Sequence, residues 1–249
     1  NIIGNIAKIK PDNKTKKQKQ QEAKKLLKNP SIKTVLEKVS DVKGRLRTIK
    51  TKHLSGEKNL IATYKENNCT FMLDVEKCYF SPRLSNDRKQ IAGKIKEKDN
   101  VLVMFAGIGV YPIVICKFSR PKHITAIEIS RACNIYFKEN IKLNKLEGKI
   151  NQIQGDVKKK LPSQKFDIIL MPRPNLKATF LEQALKVSKK GTKIYYYGFC
   201  RKNELKNLKT HLINEAENLK RKIKIIKTVK AGEIAPFKFR YRLEMGVLK

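Results

Sequence analysis

A short glycine-containing segment, FAGIG from Phe105 to Gly109, is the first part of the sequence that could bind a ligand. Glycines at 107 and 109 let the backbone approach a ligand closely, and the amides at the start of a following helix can donate hydrogen bonds to it. A G-x-G pattern also occurs in strand-to-helix turns where glycine serves packing alone. Its interpretation therefore depends on the acidic residues that follow.

Two acidic residues follow at the ends of the next two apolar runs. Glu128 lies 19 residues beyond Gly109, an interval at which a carboxylate accepts both hydroxyl groups of a ribose in nucleotide-binding folds. Asp156 in the segment GDV could accept the exocyclic amine of adenine while Val157 donates a backbone N–H. The glycine segment, Glu128 with the adjoining Ile129, and Asp156 in this order predict an adenosine-binding site.

A fourth segment, MPRPN from Met171 to Asn175, could hold the edge of a nucleic-acid base. Its two prolines restrict the backbone at low entropic cost, and Arg173 adds a cation near a phosphate or a base. A rigid turn without chemistry is the alternative. We predict that Pro172, Arg173 and Pro174 contact the substrate.

These segments must be positioned by a sheet, because each follows a short apolar run typical of a buried strand. Strands are predicted at NVLVMFAG, HITAIEI, KINQIQGD, KFDIILM, GTKIYYYGF, KIKIIKTVK and FRYRLEMGVL, and helices at about 131–143, 177–189 and 203–220. Strands that alternate with helices form a parallel, doubly wound sheet, which binds ligands beyond the carboxyl ends of its strands. The sequence therefore predicts an α/β fold of the class I methyltransferase type, Rossmann-like, with seven mostly parallel strands and a final antiparallel pair.

The first 80 residues differ in pattern and predict a small α+β domain. A basic helix is expected over 14–28, and a second short helix or a helix-strand unit from Ser31. From Lys43 to about Asp74 the period-two segments GRLRTIK, NLIATYKEN and CTFMLDV predict a small antiparallel sheet, with Asn67 and Asn68 as a hairpin turn. We predict one domain over 1–80 and, over 81–249, a methyltransferase domain that binds S-adenosyl-L-methionine (AdoMet).

The composition indicates a polyanionic partner. The 249 residues include 57 Lys and Arg against 22 Asp and Glu, a net charge of +35, which exceeds what solubility requires and favours nucleic acid. Five widely spaced cysteines without C-x-x-C, and three histidines, argue against a metal site. No apolar stretch reaches about 18 residues, so we expect a cytoplasmic protein without a membrane partner.

The sequence also resembles a known family, the archaeal and eukaryotic tRNA (guanine-37, N1) methyltransferases. The resemblance covers nearly the whole chain and is carried by IIGNIAKIK, PSIKTVLEKV, GRLRT, DVEKCYFSPRLSNDR, MFAGIG, ENIKLNKLEGKI, GDV and IYYYGF, of which YFSPRL and NIKLNKLE are the most specific. It implies that residues 1–80 are a small α+β RNA-binding domain and that 81–249 are the catalytic domain. It also implies AdoMet as cofactor, and the anticodon loop of tRNA as partner, with methyl transfer to N1 of guanosine 37. We expect a monomer, and the family's leading domain lies outside this sequence.

The resemblance further implies roles for individual residues. Arg47 in GRLRT matches the arginine that offsets charge on the target guanine oxygen, and Tyr79 matches the aromatic residue beside the target base. Arg88 falls near the methyl donor, and Arg83 lies in the substrate-contacting SPRL segment. Asp87 matches the presumed general base, which is a glutamate in the family and therefore has a longer reach there.

Three other positions depart from the family pattern. Val103 replaces an aspartate before MFAG, Val110 replaces a proline after the glycine segment, and Pro172 replaces the asparagine of an N-L-P motif. The first two changes leave the predicted fold and cofactor site little affected. The third lies in the pocket that selects the atom to be methylated.

Three other functions are alternatives to methylation of guanosine 37. A related wyosine-pathway enzyme could transfer a methyl or an aminocarboxypropyl group to the same nucleotide, but relatives that transfer the larger group lack the SPRL segment retained at 81–84. A catalytically inactive RNA-binding homologue would account for Pro172, although the intact Glu128 and Asp156 argue against it. A DNA-binding module has no helix-turn-helix or zinc-finger spacing in its favour.

Overall fold

The computed structural model describes residues 2–41, 44–172 and 177–249. Its first unit is a four-stranded sheet in the order β1-β2-β3-β4, in which β2 and β3 are parallel and the other pairs antiparallel. A capping box between Thr15 and Gln18 begins the helix that packs on this sheet. The elements are β1 (Ile2–Ile3), β2 (Ile6–Ile9), α1 (Lys16–Leu27), β3 (Thr34–Lys38) and β4 (Thr51–Gly56).

A separate hairpin, β5 (Ile61–Glu66) and β6 (Cys69–Asp74), follows this unit. Asn67 and Asn68 connect the strands with φ values of 48° and 54°, the left-handed conformation that a two-residue hairpin loop requires. The hairpin predicted from these two asparagines is confirmed. Phe71 and Leu73 of β6 are fully buried in the main hydrophobic core, so the hairpin is packed against the catalytic fold described below.

Two predictions for the first 80 residues are wrong. The segment after Ser31 forms strand β3, because Thr34 and Val35 pair with Ile6 and Ala7 of β2 and this pairing overrides the helical spacing of its apolar residues. The segment GRLRTIK forms a turn in which Arg47 has a φ of 57°. The period-two segments are therefore divided between one turn and the two strands of the β5–β6 hairpin.

The large sheet has seven strands in the order β12-β13-β11-β10-β7-β8-β9. The five strands from β11 to β9 are parallel, whereas β13 is antiparallel to both β11 and β12. The predicted seven-stranded α/β sheet is confirmed. Its strands are β7 (Asn100–Met104), β8 (His123–Glu128), β9 (Ile150–Gln154), β10 (Phe166–Met171), β11 (Ser188–Arg201), β12 (Ile223–Ala235) and β13 (Lys238–Val247).

Helices cover this sheet and connect its strands. The helix predicted at 131–143 is confirmed, while the one predicted at 177–189 is shorter because β11 already begins at Ser188. No described helix is long and apolar enough to cross a membrane. The helices are α2 (Ser85–Ala92), α3 (Val110–Ser119), α4 (Arg131–Leu143), α5 (Leu181–Lys186) and α6 (Leu205–Asn218).

Asn140 of α4 and Asn144, which caps the carboxyl end of this helix, attach the hairpin to the catalytic fold. The Asn140 amide accepts a hydrogen bond from the Met72 N–H at 2.7 Å and donates to the carbonyls of Met72 and Ile108. One turn later, Asn144 makes the same pair of bonds with the N–H and carbonyl of Thr70. The two amides thus replace the hydrogen bonds of a neighbouring strand along the edge of β6. This explains why the NIKLNKLE segment has a specific sequence.

We expect Asn140→Ala to lower the free energy of unfolding by about 3 kcal/mol, because it leaves three buried main-chain groups without a partner. Urea denaturation monitored by circular dichroism measures this change. Asn151→Ala, at an exposed position of β9, is the control and should cost about 0.5 kcal/mol or less. Equal losses in the two variants would contradict the role of Asn140.

Candidate active site

A cavity opens beyond the carboxyl ends of β7, β8, β9 and β10, and residues from the turn after β3 and the segment after β6 cover it. It brings together most of the residues predicted from the sequence. Those that line it are Arg47, Tyr79, Arg88, Phe105, Gly107, Glu128, Ile129, Asp156, Val157 and Pro172. Asp87, Gly109 and Arg83 are not among the lining residues. Arg173 and Pro174 lie outside the described residues.

The glycine segment turns sharply between β7 and α3. Phe105, Gly107 and Gly109 all have positive φ values, of 62°, 58° and 85°. A Cβ atom on Gly107 would meet no other atom within 4 Å, whereas one on Gly109 would lie 2.0 Å from the Phe137 ring of α4. Gly107 is thus open to the cavity, while Gly109 allows α3 and α4 to pack closely.

Glu128 is held at the end of β8 by main-chain amides. Its Oε2 accepts a hydrogen bond from the Gly107 N–H at 2.8 Å, and its Oε1 accepts one from the Ser130 N–H at 2.7 Å. Burial raises the pKa of this carboxyl group, and the amides of Ser130, Gly107 and Ile129 partly oppose that shift. The carboxylate is therefore fixed in orientation, and each oxygen retains a lone pair for a further donor.

Asp156 follows β9 and is engaged by a residue that the sequence analysis missed. Its carboxylate accepts a hydrogen bond from the Lys158 N–H at 3.0 Å and forms an ion pair with Arg45 at 2.9 Å. Burial raises the pKa of Asp156, but the Lys158 amide and the Arg45 guanidinium outweigh burial and hold the pKa below its usual value. Arg45 lies two residues before Arg47 in GRLRT, so this segment reaches both ends of the cavity.

Tyr79 lies between two arginines, at the end of the cavity opposite Asp156. The guanidinium carbon of Arg47 is 3.6 Å from the centroid of the Tyr79 ring, and Nη2 of Arg240 is 3.3 Å from the Tyr79 hydroxyl. Burial raises the pKa of Tyr79, yet Arg240 and Arg47 together bring it below its usual value. Burial also lowers the pKa of Arg47. Arg240 was not predicted from the sequence, because the strand FRYRLE shows only basic residues that alternate with aromatic ones.

Asp87 is buried behind the cavity wall. Its Oδ1 forms an ion pair with Arg242, and its Oδ2 accepts hydrogen bonds from the hydroxyls of Tyr197 and, at 2.8 Å, Tyr111. Tyr111 and Tyr197 line the cavity, and their oxygens are 3.1 Å apart. The carboxylate predicted as a base therefore reaches the cavity through two tyrosine hydroxyls. Of the two, Tyr197 lies in the family-specific segment IYYYGF.

The remaining predicted residues differ in environment. Arg88 is buried in an ion pair with Glu66 and donates a further hydrogen bond to the Ser81 carbonyl at 3.2 Å, so its charge is neutralised within the fold. Arg83 is exposed on the turn before α2. Pro172 lines the cavity directly after β10. Within the described ranges, no three His, Cys, Asp or Glu side chains are grouped so that they could hold a metal ion.

Comparison with protein families identifies two matching segments. Residues 62–228 match the TRM5/TYW2 methyltransferase domain, and residues 1–59 match a TYW2 N-terminal domain. The first match covers the β5–β6 hairpin and the large sheet as far as the start of β12, and the second covers the four-stranded sheet.

Known proteins resemble the chain in sequence and in structure. It is 39% identical over 165 residues to the tRNA (guanine(37)-N(1))-methyltransferase Trm5b of Methanocaldococcus jannaschii, covering 66% of this chain and 48% of the relative. It is 30% identical over 269 residues to the tRNA (guanine(37)-N(1))/4-demethylwyosine(37)-methyltransferase Taw22 of Nanoarchaeum equitans, covering 87% and 89%. The crystal structure of Trm5b from Pyrococcus abyssi superposes with a TM-score of 0.88 at 30% identity, covering all of this chain and 74% of that one.

The chain thus spans about half the length of the first of these relatives.

We expect the two glycines of the loop to respond differently to alanine. Gly109→Ala should lower the free energy of unfolding by about 3 kcal/mol or more, because the positive φ is strained and the new methyl group meets the Phe137 ring. Gly107→Ala should cost about 1 kcal/mol, since only the backbone strain remains. Denaturant unfolding of both variants measures the difference, and equal costs would contradict it.

Proposed function

This chain belongs to the TRM5/TYW2 methyltransferase family, and from that premise we propose that it transfers the methyl group of AdoMet to N1 of guanosine 37 in the anticodon loop of tRNA. The observation that carries the proposal is the division of one cavity. Carboxylates that suit an adenosine lie at one end, and arginines and a tyrosine that suit an RNA nucleotide lie at the other.

The residues at the first end fit AdoMet. Glu128 presents two oxygens fixed by main-chain amides, which suits the two hydroxyl groups of a ribose. Gly107 leaves open space beside the backbone, and the wall formed by Phe105, Ile129 and Val157 is apolar enough to hold an adenine ring. When bound, AdoMet supplies a methyl group on a sulfonium centre, which is transferred by in-line displacement and needs alignment above all.

Asp156 has a more constrained part in this site. Its Oδ2 is engaged by Arg45 and its Oδ1 by the Lys158 N–H, so the exocyclic amine of adenine would use a remaining lone pair of this carboxylate. The same ion pair attaches the segment that carries Arg47 to the cofactor end of the cavity. Cofactor binding would thereby stabilise the position of Arg47 at the substrate end.

At the second end, Arg47 offsets the negative charge that develops on the guanine oxygen as N1 loses its proton. One face of the Tyr79 ring is covered by the Arg47 guanidinium. The target base, unstacked from the loop, therefore approaches the opposite face or the edge of Tyr79. The edge of the base would be contacted by Pro172 and by Arg173 and Pro174, two residues that lie outside the described ranges. Arg83 would contact the substrate from the exposed rim of the cavity.

The N1 proton leaves through a hydroxyl relay. Tyr197 accepts the proton on its oxygen, directly or through the Tyr111 hydroxyl, while its own proton passes to Oδ2 of Asp87, so no charge remains on the tyrosine. Burial raises the pKa of both tyrosines, that of Tyr197 well above its usual value, so each remains protonated and transfers protons without acting as the base itself. Asp87 is the final acceptor, and Arg242 orients it.

The proposed substrate also accounts for the charge of the chain. We propose that residues 1–80 bind RNA and that 81–249 carry out catalysis, in a monomer that acts in the cytoplasm. A net charge of +35 suits the phosphate backbone of RNA, because lysines bind phosphates without distinguishing the base sequence. The similarity to tRNA-modifying enzymes supports tRNA as the RNA.

Replacing either acidic residue of the cofactor end should weaken binding of AdoMet. We expect Glu128→Ala and Asp156→Ala each to raise the dissociation constant at least about tenfold, because each removes a charge-assisted hydrogen bond. Isothermal titration calorimetry measures this. Asp167→Ala is the matched control, because that carboxylate pairs with Lys189 at the amino end of β10 and does not line the cavity. Unchanged affinity in folded Glu128 and Asp156 variants would exclude this cofactor site.

The reaction itself is tested by mass spectrometry of nucleosides after incubation with AdoMet and an unmodified tRNA transcript. We expect 1-methylguanosine, and a block to reverse transcription at position 37. A methylated or aminocarboxypropylated wyosine precursor, formed only from tRNA that already carries the precursor, would instead indicate the wyosine-pathway alternative. Absence of any transfer, with AdoMet and tRNA both bound, would indicate an inactive homologue.

The relay predicts that Tyr197→Phe lowers the rate of methyl transfer by about 100-fold and changes its pH dependence, while the affinity for tRNA is kept. Tyr195→Phe is the control, because Tyr195 is buried two residues earlier on the same strand but does not line the cavity. Asp87→Ala is less informative, since it leaves Arg242 buried without its Asp87 partner, and breaking a buried ion pair costs about 3–5 kcal/mol. A Tyr197→Phe rate equal to that of wild type would exclude a relay through this hydroxyl.

A further inference from the structure

Arg240 is a buried cation in the cavity wall for which the proposed reaction has no role. Its side chain is 6% exposed and lies 5.2 Å from the centroid of the Phe199 ring. The two other buried arginines, Arg88 and Arg242, each form an ion pair with a carboxylate. Among the described residues no Asp or Glu forms an ion pair with Arg240. A buried guanidinium without an anion is costly, so an anionic ligand would relieve that cost.

A second arginine adds to the positive charge at this point. Arg47 also has no carboxylate partner among the described residues, and it lies against the same tyrosine as Arg240. After burial, repulsion from Arg240 is a further cause that lowers the pKa of Arg47. Two guanidinium groups and the Tyr79 hydroxyl between them thus form a concentrated site of donors and positive potential.

The position of Arg240 places this site away from the cofactor end. Arg240 lies on β13, opposite Phe199 of β11. Strands β11, β10 and β7 separate β13 from β8, the strand that ends in Glu128. Four steps between neighbouring strands amount to roughly 19 Å. The anion bound by Arg240 therefore belongs to the substrate.

A second cleft indicates that the substrate is a chain and not a small anion. This cleft has a volume of about 450 Å³ and shares Arg47, Tyr79 and Phe80 with the cavity. Lys8, Lys10 and Lys38 of the first sheet and its flanks line it, together with Asp41, which forms an ion pair with Lys38. Basic residues therefore continue on the far side of Tyr79, as the phosphates of a neighbouring nucleotide require.

We propose that Arg240, together with the Tyr79 hydroxyl, binds a backbone phosphate of the RNA nucleotide that enters the cavity, while Arg47 adds positive potential beside it and contacts the base. This inference rests on the proposed function for the identity of the polymer. A phosphate held at this point fixes the sugar-phosphate backbone of the target nucleotide, and the base is then oriented toward the cofactor end. Arg240 contributes position and affinity and leaves the choice of base to other residues.

The test measures the affinity of the protein for an unmodified tRNA transcript, without AdoMet, over a series of salt concentrations. We expect Arg240→Gln to raise the dissociation constant about tenfold at low salt and to reduce the slope of its logarithm against the logarithm of salt by about 0.7. Arg240→Lys should recover most of the affinity. Lys224→Gln removes one exposed charge on β12, opposite Gly246 at the far end of the strand that carries Arg240. This variant should have little effect on the affinity for tRNA.

Two further readouts separate this site from other roles of Arg240. The dissociation constant for AdoMet, measured by calorimetry, should be the same in wild type and Arg240→Gln. A spectroscopic titration should follow the pKa of Tyr79, whose transition is identified by its absence from Tyr79→Phe. In Arg240→Gln this pKa should rise toward its usual value, because one of the two cations that lower it is removed.

Weakened AdoMet binding with unchanged tRNA binding in Arg240→Gln would overturn the proposal and assign Arg240 to the carboxylate of the cofactor. Equal losses of tRNA affinity in Arg240→Gln and Lys224→Gln would overturn it as well. If wild type binds tRNA through Arg240 but transfers no methyl group, the phosphate site stands and the proposed function fails. If methyl transfer occurs and Arg240→Gln binds tRNA normally, the function stands and this inference fails.

Discussion

The buried carboxylate of Asp87 connects α2 to the rest of the catalytic fold, and the wall of the cavity depends on that connection. Arg242 reaches it from β13, Tyr197 from β11 and Tyr111 from α3. Arg242 is itself 1% exposed and forms a second ion pair with Glu244 at 3.0 Å. A buried charge of either sign is stable only while its partner remains, so these four elements keep a fixed relation to one another. The same contact that stabilises the fold holds two tyrosines in the wall of the cavity.

The cavity is electrostatically divided, and the division follows from the topology of the sheet. Glu128 and Asp156 come from the ends of β8 and β9, whereas Arg240 comes from β13 on the other side of the sheet. The proposed sulfonium cofactor and phosphate-bearing substrate have opposite charges, so each would be attracted to a different end. The proposed methyl transfer would take place between these two ends, beyond the strands β7 and β10 that lie between them. The Arg45 ion pair with Asp156 couples the two ends through one short turn of the first unit.

The small hairpin β5–β6 links that first unit to the catalytic fold. Asn140 and Asn144 bind its outer edge, and Phe71 and Leu73 fill the core beneath it. Glu66 at the end of β5 neutralises Arg88 of α2, so the hairpin also holds the helix that carries Asp87. The segment from Tyr79 to Leu84 leaves this hairpin and enters the cavity wall directly. The substrate end of the site therefore depends on packing that lies outside the seven-stranded sheet.

Local signals in the sequence determine much of this protein. Apolar runs predict the strands of the large sheet, those of β7, β8 and β9 are followed by a glycine or an acidic residue, and parallel strands necessarily bring Gly107, Glu128 and Asp156 to the same edge. The turn at Asn67 and Asn68 and helix α4 are likewise predictable, because each depends on neighbouring residues alone. The segment after Ser31 was predicted wrongly because its strand exists only through pairing with β2, a contact that no local pattern contains.

Only the tertiary structure decides which charges are paired and which remain available. The sequence places Asp87, Arg88, Arg240 and Arg242 in basic segments that look alike, and nothing local distinguishes them. Folding gives Arg88 and Arg242 carboxylate partners from distant elements and leaves Arg240 beside Tyr79 without one among the described residues. The reason is physical: the charge state and availability of a buried group depend on the distances to groups far away in the sequence, and these distances are set by packing.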